Sequence, residues 1–227
     1  MIGGEIMNVE LIPLDKIRKK CVIEFDLVNK TAFRIGTSIE SIDPQEPDNA
    51  VLKSDGKPII PGSSLKGVFR AAYESLFDDN CVWCEEIASK DKKKEFNANL
   101  ESIVKQGKPL DGFHICDKCL LFGNNFIRGR LYFTDSYPEN FKLALRDGVM
   151  IDRDFECAAE ERKYDFEVVE PGAVFKVKIV AVNIDEEQLK KLEQIMKLIE
   201  LGVVRIGGGK SRGLGVCGVK NYQIRWL

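Results

Sequence analysis

The chain of 227 residues has one histidine, His114, which argues against RNA cleavage by paired histidine acid and base. It has no apolar run approaching the roughly 20 residues that cross a bilayer, so the reading is of a cytoplasmic protein. A formal charge of -2 excludes a uniformly basic nucleic-acid binder. Gly209-Lys210-Ser211 looks like the end of a phosphate-binding P-loop, but Val204 stands where that motif needs its first glycine. The segment after it does not begin a helix, and nucleotide hydrolysis is set aside.

What is present is segregated. From Val203 to Leu227 there is no Asp or Glu, while Arg205, Lys210, Arg212, Lys220 and Arg225 make that end basic. Residues 36–56 carry Glu40, Asp43, Glu46, Asp48 and Asp55 instead. A hydrophobic content of 44% supports an ordinary core, so the length is read as one large domain with insertions.

Two segments combine glycine with fixed positive charge: Pro61-Gly62-Ser63-Ser64-Leu65-Lys66-Gly67 and Gly207-Gly208-Gly209-Lys210-Ser211-Arg212-Gly213. Glycine lets backbone N-H groups crowd an oxyanion, and the first segment opens a helical pattern whose positive end favours the same charge. A nucleic-acid backbone is the matching polyanion. Ordinary turns with solvated lysines are the plain alternative.

Alternation of apolar and polar residues predicts a half-buried strand over 21–28, with Ile23, Phe25 and Leu27 on one face and Glu24 and Asp26 on the other, and further strands over 129–135, 173–182 and 214–220. Helical spacing predicts a helix over 63–77, with Gly62-Ser63 at its start. A second helix follows Asp185-Glu186-Glu187, carries Leu189, Leu192, Ile195, Met196 and Ile199 inward, and ends at Gly202. The order β-α-β-β-α-β is the ferredoxin-like pattern of an α+β fold. The core covers 21–77, 128–135 and 171–227, with inserts at 78–127 and 136–170. In that topology the two glycine segments can form a common surface.

Cys81, Cys84, Cys116 and Cys119 form two C-x2-C pairs, suited to a closed, structural tetrahedral Zn2+ site. A redox pair is the rival, and His114 is close enough in sequence to replace a cysteine. Cys21, Cys157 and Cys217 read as packing thiols. The Lys90-Asp91-Lys92-Lys93-Lys94 run is a solvated face or, less simply, an RNA contact.

Lys57-Pro58-Ile59-Ile60-Pro61-Gly62-Ser63-Ser64-Leu65-Lys66-Gly67 followed by Arg70 resembles the signature of RAMP-superfamily backbone subunits of type III CRISPR-Cas effectors. Leu121-Phe122-Gly123, Arg130 to Asp135, Ile151-Asp152-Arg153 and the Gly207 to Gly213 loop follow in the family's order. The resemblance implies a single domain with an RNA-recognition-motif-like core, a zinc-bearing insert and a β-hairpin thumb at about 148–170. Met150, Ile151 and Phe155 are its candidate wedge between bases, with ordinary hairpin packing as the alternative. It implies that Gly62, Ser63, Ser64, Lys66, Arg70, Gly207, Gly208, Gly209, Lys210 and Arg212 hold guide RNA, the glycine amides acting as neutral donors. It further implies cleavage of paired target RNA through Asp48 and a divalent Mg2+ or Mn2+, with Asp43 and Glu46 as substitutes.

The implied partners are guide RNA, complementary target RNA, other effector subunits in antiviral defence, and further copies along the RNA. A non-cleaving scaffold is the first alternative, and a zinc-ribbon DNA-binding regulator the second.

Overall fold

The computed structural model describes residues 16–36, 49–84, 90–106, 113–151 and 158–227, with backbone alone at 149–151 and 158–163. In chain order it contains β1 (Lys20–Asn29), β2 (Lys53–Ser54), β3 (Lys57–Pro58) and α1 (Gly62–Leu76). The middle holds α2 (Lys90–Gln106), α3 (Asp117–Phe122), β4 (Leu131–Phe133), β5 (Leu143–Ile151) and β6 (Ala158–Val169). It closes with β7 (Val174–Val182), α4 (Glu186–Glu200) and β8 (Cys217–Trp226). The fold is mixed α/β.

The main sheet has four strands in the order β4-β7-β1-β8, and every neighbouring pair is antiparallel. Its strands and two flanking helices follow one another as β1, α1, β4, β7, α4, β8. Side chains alternate along β1, so Cys21, Ile23, Phe25 and Leu27 point into the core, opposite Ala181, Ile179, Val177 and Phe175 of β7. The apolar stripes of α1 (Leu65, Phe69, Ala72, Tyr73) and α4 (Leu192, Ile195, Met196, Ile199) join the same cluster. Each fully buried large apolar side chain there stabilises by about 1.5–3 kcal/mol over an exposed one.

α4 begins with a capping box. Asp185 Oδ1 accepts from Gln188 N at 2.7 Å and Gln188 Oε1 accepts from Asp185 N at 3.2 Å. α1 starts differently from the sequence expectation. Its N-cap is Pro61, with no side-chain cap bond of its own, and Asp135 Oδ1 accepts from Gly62 N at 2.8 Å.

Three further expectations are corrected. The last strand runs over Cys217–Trp226 instead of 214–220. Gly213 and Gly215 both sit at φ 83°, which keeps that stretch in a turn, while pairing with β1 continues to Trp226 opposite Cys21. The strand expected at 129–135 shortens to Leu131–Phe133, because Gly129 packs against the Phe122–Gly123 backbone. Asp26, on the outer face of β1, is buried instead of solvated, bonded to Lys176 Nζ at 2.8 Å and Asn221 Nδ2 at 2.7 Å.

β5 and β6 form a separate two-stranded hairpin. Its foot is tied to the core, since Val168 and Val169 are buried and Phe33 bridges to Val169. The other large excursion carries α2 and α3 around a second apolar cluster of Trp83, Phe96, Ile103 and Phe113.

Candidate nucleic-acid interface and metal centre

Small residues give α1 one flat side. Ser64, Gly67, Val68 and Ala71 face Ile206, Gly207, Gly208 and Lys210 across a groove of about 380 Å³. An adjoining hollow of about 610 Å³ continues from Val68, Ala71 and Lys210 to Ser75, Val203, Arg205 and Ser211. The two glycine segments therefore border one surface, with Lys210 common to both hollows.

Lys66 and Arg70 are not among the described residues that line it. They project from another side of α1, where Arg70 Nε pairs with Glu74 at 3.0 Å and its Nη1 reaches Gly123 O at 3.5 Å. Burial and the neighbouring Arg70 charge lower the Lys66 pKa. From the first segment, then, Ser64 and Gly67 share the groove with Lys210, and the two cations lie on its flank. Ser63 is exposed.

Two of the glycines, Gly62 and Gly208, have a different use from the expected one. The Gly62 amide is taken by Asp135, and a Cβ at Gly62 would stand 2.3 Å from Phe133 O. Gly208 N donates to Arg34 O at 2.7 Å, and a Cβ at Gly207 would stand 2.3 Å from that same oxygen. Gly62 and Gly208 thus spend their N-H groups on the protein, and their segments need glycine for backbone to meet backbone. Gly207 and Gly209 adopt φ 86° and 69°, and Gly209 opens the 3-10 turn that carries Lys210 and Arg212. Gly67 differs: nothing lies within 4 Å of a Cβ there.

Asp48, Asp43 and Glu46 lie outside the described residues, as do Phe155 and Cys157. Met150 and Ile151 fall in β5, with backbone alone described. The two ends of segment 37–48 are well defined. Gly36 bridges to Val51, Leu52 N donates to Ile35 O at 2.8 Å, and Arg34 Nη2 donates to Asn49 Oδ1 at 3.0 Å. Buried Glu167, from the hairpin foot, accepts from Val51 N at 3.0 Å and Lys53 Nζ at 2.8 Å. Gly36, at one end of segment 37–48, lines the groove.

Sequence reading missed Arg34, Tyr164 and Glu167. None sits in a glycine motif, and only the meeting of the hairpin with residues 33–51 brings them together.

The four cysteines converge. Their Sγ atoms all lie within 4.8 Å of one another, with Cys84 at 3.6 Å from Cys81, 3.4 Å from Cys116 and 3.5 Å from Cys119. Zinc–thiolate bonds of about 2.3 Å in a tetrahedron put sulfurs about 3.8 Å apart, so the set fits such an ion. His114 is exposed and is not in this group. Hydrogen bonding with Cys116 and Cys119 holds the Cys81 pKa low, and hydrogen bonding with Cys119 and Cys81 raises that of Cys116. Cys21 and Cys217 are buried, as packing thiols are.

The centre is braced against the core. Asp117, between two of the cysteines, accepts from Gln188 Nε2 at 2.7 Å and Lys191 Nζ at 2.5 Å on α4. Asp79 accepts from Tyr73 OH at 2.9 Å and Lys118 N at 3.1 Å.

With this geometry described, comparison with known proteins adds the following. The chain is 29% identical over 225 residues to "CRISPR system Cms endoribonuclease Csm3" of Methanocaldococcus jannaschii, covering 92% of this chain and 82% of the relative. It is 28% identical over 192 residues to the protein of the same description from Streptococcus thermophilus, covering 74% and 72%. A chain of a solved structure, described as "Cryo-EM structure of the Type III-B Cmr-beta bound to cognate target RNA", superposes with a TM-score of 0.60 at 19% identity. That match covers 91% of this chain and spans 61% of the solved chain's length. The family model for the RAMP superfamily matches residues 8–218. The chain belongs to the RAMP superfamily.

Proposed function

We propose that this chain is a guide-RNA-binding backbone subunit of a type III CRISPR effector and that it cleaves the target RNA paired to the guide. The observation that carries the reading is the groove in which Ser64 and Gly67 of α1 face Gly207, Gly208 and Lys210, with Gly36 also in its lining. Membership of the superfamily and relatives described as endoribonucleases support it.

In this reading β1-α1-β4-β7-α4-β8 is a ferredoxin-like core of a single domain, with a zinc-bearing insert at 78–127 and a thumb insert at 136–170. Ser63, Ser64, Lys210 and Arg212 contact RNA phosphates and riboses, with Lys66 and Arg70 extending the track along the flank of α1. Met150, Ile151 and Phe155 wedge against bases. Cys81, Cys84, Cys116 and Cys119 hold Zn2+, whose closed shell supports the insert and leaves no place for a reacting water.

Asp48 is the candidate catalytic carboxylate. A bound Mg2+ or Mn2+ supplies charge neutralisation at phosphate. The chain's own contribution is to fix the strand in the groove, so that a ribose 2'-hydroxyl and its phosphate lie beside segment 37–48. DNA lacks that hydroxyl. The partners are guide RNA, target RNA, neighbouring effector subunits and copies of the same chain along the RNA, in the cytoplasm.

The test is to assemble the protein with guide RNA and complementary target in Mg2+ and compare wild type with Asp48→Ala. Regularly spaced cuts that vanish in the variant are expected. Equal cutting by both proteins removes Asp48 from the reaction, and no cutting by either makes the chain a scaffold.

A further inference from the structure

Midway along the hairpin lies a cluster that the groove does not account for. Tyr164 of β6 stands opposite Gly148 of β5, and its ring crosses that glycine so closely that a Cβ there would be 2.3 Å from Tyr164 Cζ. The ring's far end reaches the second glycine segment, where Arg212 Nη1 donates to Tyr164 OH at 2.7 Å. Arg34 is the other member. Its carbonyl holds Gly208, its Nη2 is bound to Asn49 Oδ1, and its buried Nε has no acceptor.

Among the described residues no carboxylate forms an ion pair with Arg34 or Arg212. Burial lowers the Arg34 pKa, with Tyr164 acting in the opposite direction, so part of this guanidinium is withdrawn from water. Arg34 Nε and the Arg212–Tyr164 pair thus offer donors that no described carboxylate takes up.

We propose that Arg34, Tyr164 and Arg212 together seat one RNA phosphodiester where the middle of the hairpin meets the glycine loop. The inference rests on the RNA-binding reading above and adds a specific subsite to it. A phosphodiester carries one negative charge on two free oxygens, which suits planar guanidinium donors. The Tyr164 oxygen accepts from Arg212, so its own proton is left to donate to a phosphate oxygen. Arg34 grips Asn49, the residue after Asp48, so an anion at this guanidinium also fixes the re-entry of segment 37–48.

The full-length protein is titrated with a fluorescein-labelled single-stranded guide RNA, then with the same RNA annealed to its complement, at several salt concentrations. Arg34→Gln and Arg212→Gln are each expected to reduce the magnitude of the log–log salt slope by about 0.7, the loss of one neutralised phosphate. Tyr164→Phe keeps the ring over Gly148 and the net charge. It is expected to weaken binding about three- to tenfold, as for one lost hydrogen bond, with the slope unchanged. Arg34→Lys recovers the slope and only part of the affinity. Losses with the single strand assign the phosphate to the guide, and losses confined to the duplex assign it to the target.

If Lys210→Gln weakens binding while the variants at 34, 164 and 212 bind RNA like wild type, the subsite is wrong and the RNA-binding reading stands. The subsite is equally overturned if those variants shift only the melting temperature, since the cluster is then a structural latch. If the wild-type protein binds neither RNA at low salt, the broader reading fails and takes the subsite with it.

Discussion

Gly208 donates its amide to the Arg34 carbonyl at 2.7 Å, and this bond fastens the basic glycine loop to the segment from which residues 37–48 depart. The loop thereby borders the groove next to the expected cleavage segment. The bond also separates glycines that serve the fold from the one that serves access.

Gly207→Ala is expected to destabilise the protein by about 1–3 kcal/mol, because alanine is strained at φ 86° and its Cβ would press on Arg34 O at 2.3 Å. Chemical denaturation measures it. A variant as stable as wild type would mean that this loop adapts at no cost.

Chelating the Zn2+ proposed for the cysteine centre is expected to release the insert while leaving the main sheet folded. Trp83 is 6% exposed and Trp226 is 46% exposed, so chelation red-shifts only the Trp83 part of the fluorescence. Cys84→Ser lowers bound zinc below one per chain in elemental analysis and gives the same red shift without chelator.

Asp26 supplies a pH-dependent contribution. The hydrogen bond from Lys176, joined by that from Asn221, holds its carboxyl below the ordinary value of 3.8. A depressed folded pKa gives stability that is present above the unfolded value and lost as pH falls through the folded one. Asp26→Asn is therefore expected to melt below wild type at pH 7, and the gap closes as pH drops below about 4. Thermal melts across pH 2–7 check this.

Asp185→Ala removes the acceptor of the α4 capping box and is expected to cost about 1 kcal/mol in equilibrium unfolding.

The main sheet was legible because β1, β7 and α4 each bury one periodic face, and Asp185 and Gly202 mark the ends of α4 as their chemistry suggests. The cysteine pairs were legible from spacing, since thiolates have few other uses in such pairs. The start of α1 was not, because its first N-H is bonded by Asp135, far along the chain. Asp26 was misread for a similar reason: alternation assigns a face, but partners on β7 and β8 decide whether that face is wet. In the groove, Ser64 and Lys210 could be paired from their loops, whereas helix geometry turned Lys66 and Arg70 aside. Arg34 and Tyr164 come from segments that meet only through the fold, and no local pattern marks them.

The most direct test of the groove is the RNA affinity of Gly67→Leu. Gly67 is exposed, lies in the helix interior, and a Cβ there meets nothing within 4 Å, so a side chain starts in open space and leucine adds helix propensity. In the groove it occupies the space of an RNA strand. The account predicts a melting temperature equal to or above wild type together with at least a tenfold loss of guide-RNA affinity. Unchanged affinity in the folded variant would contradict it.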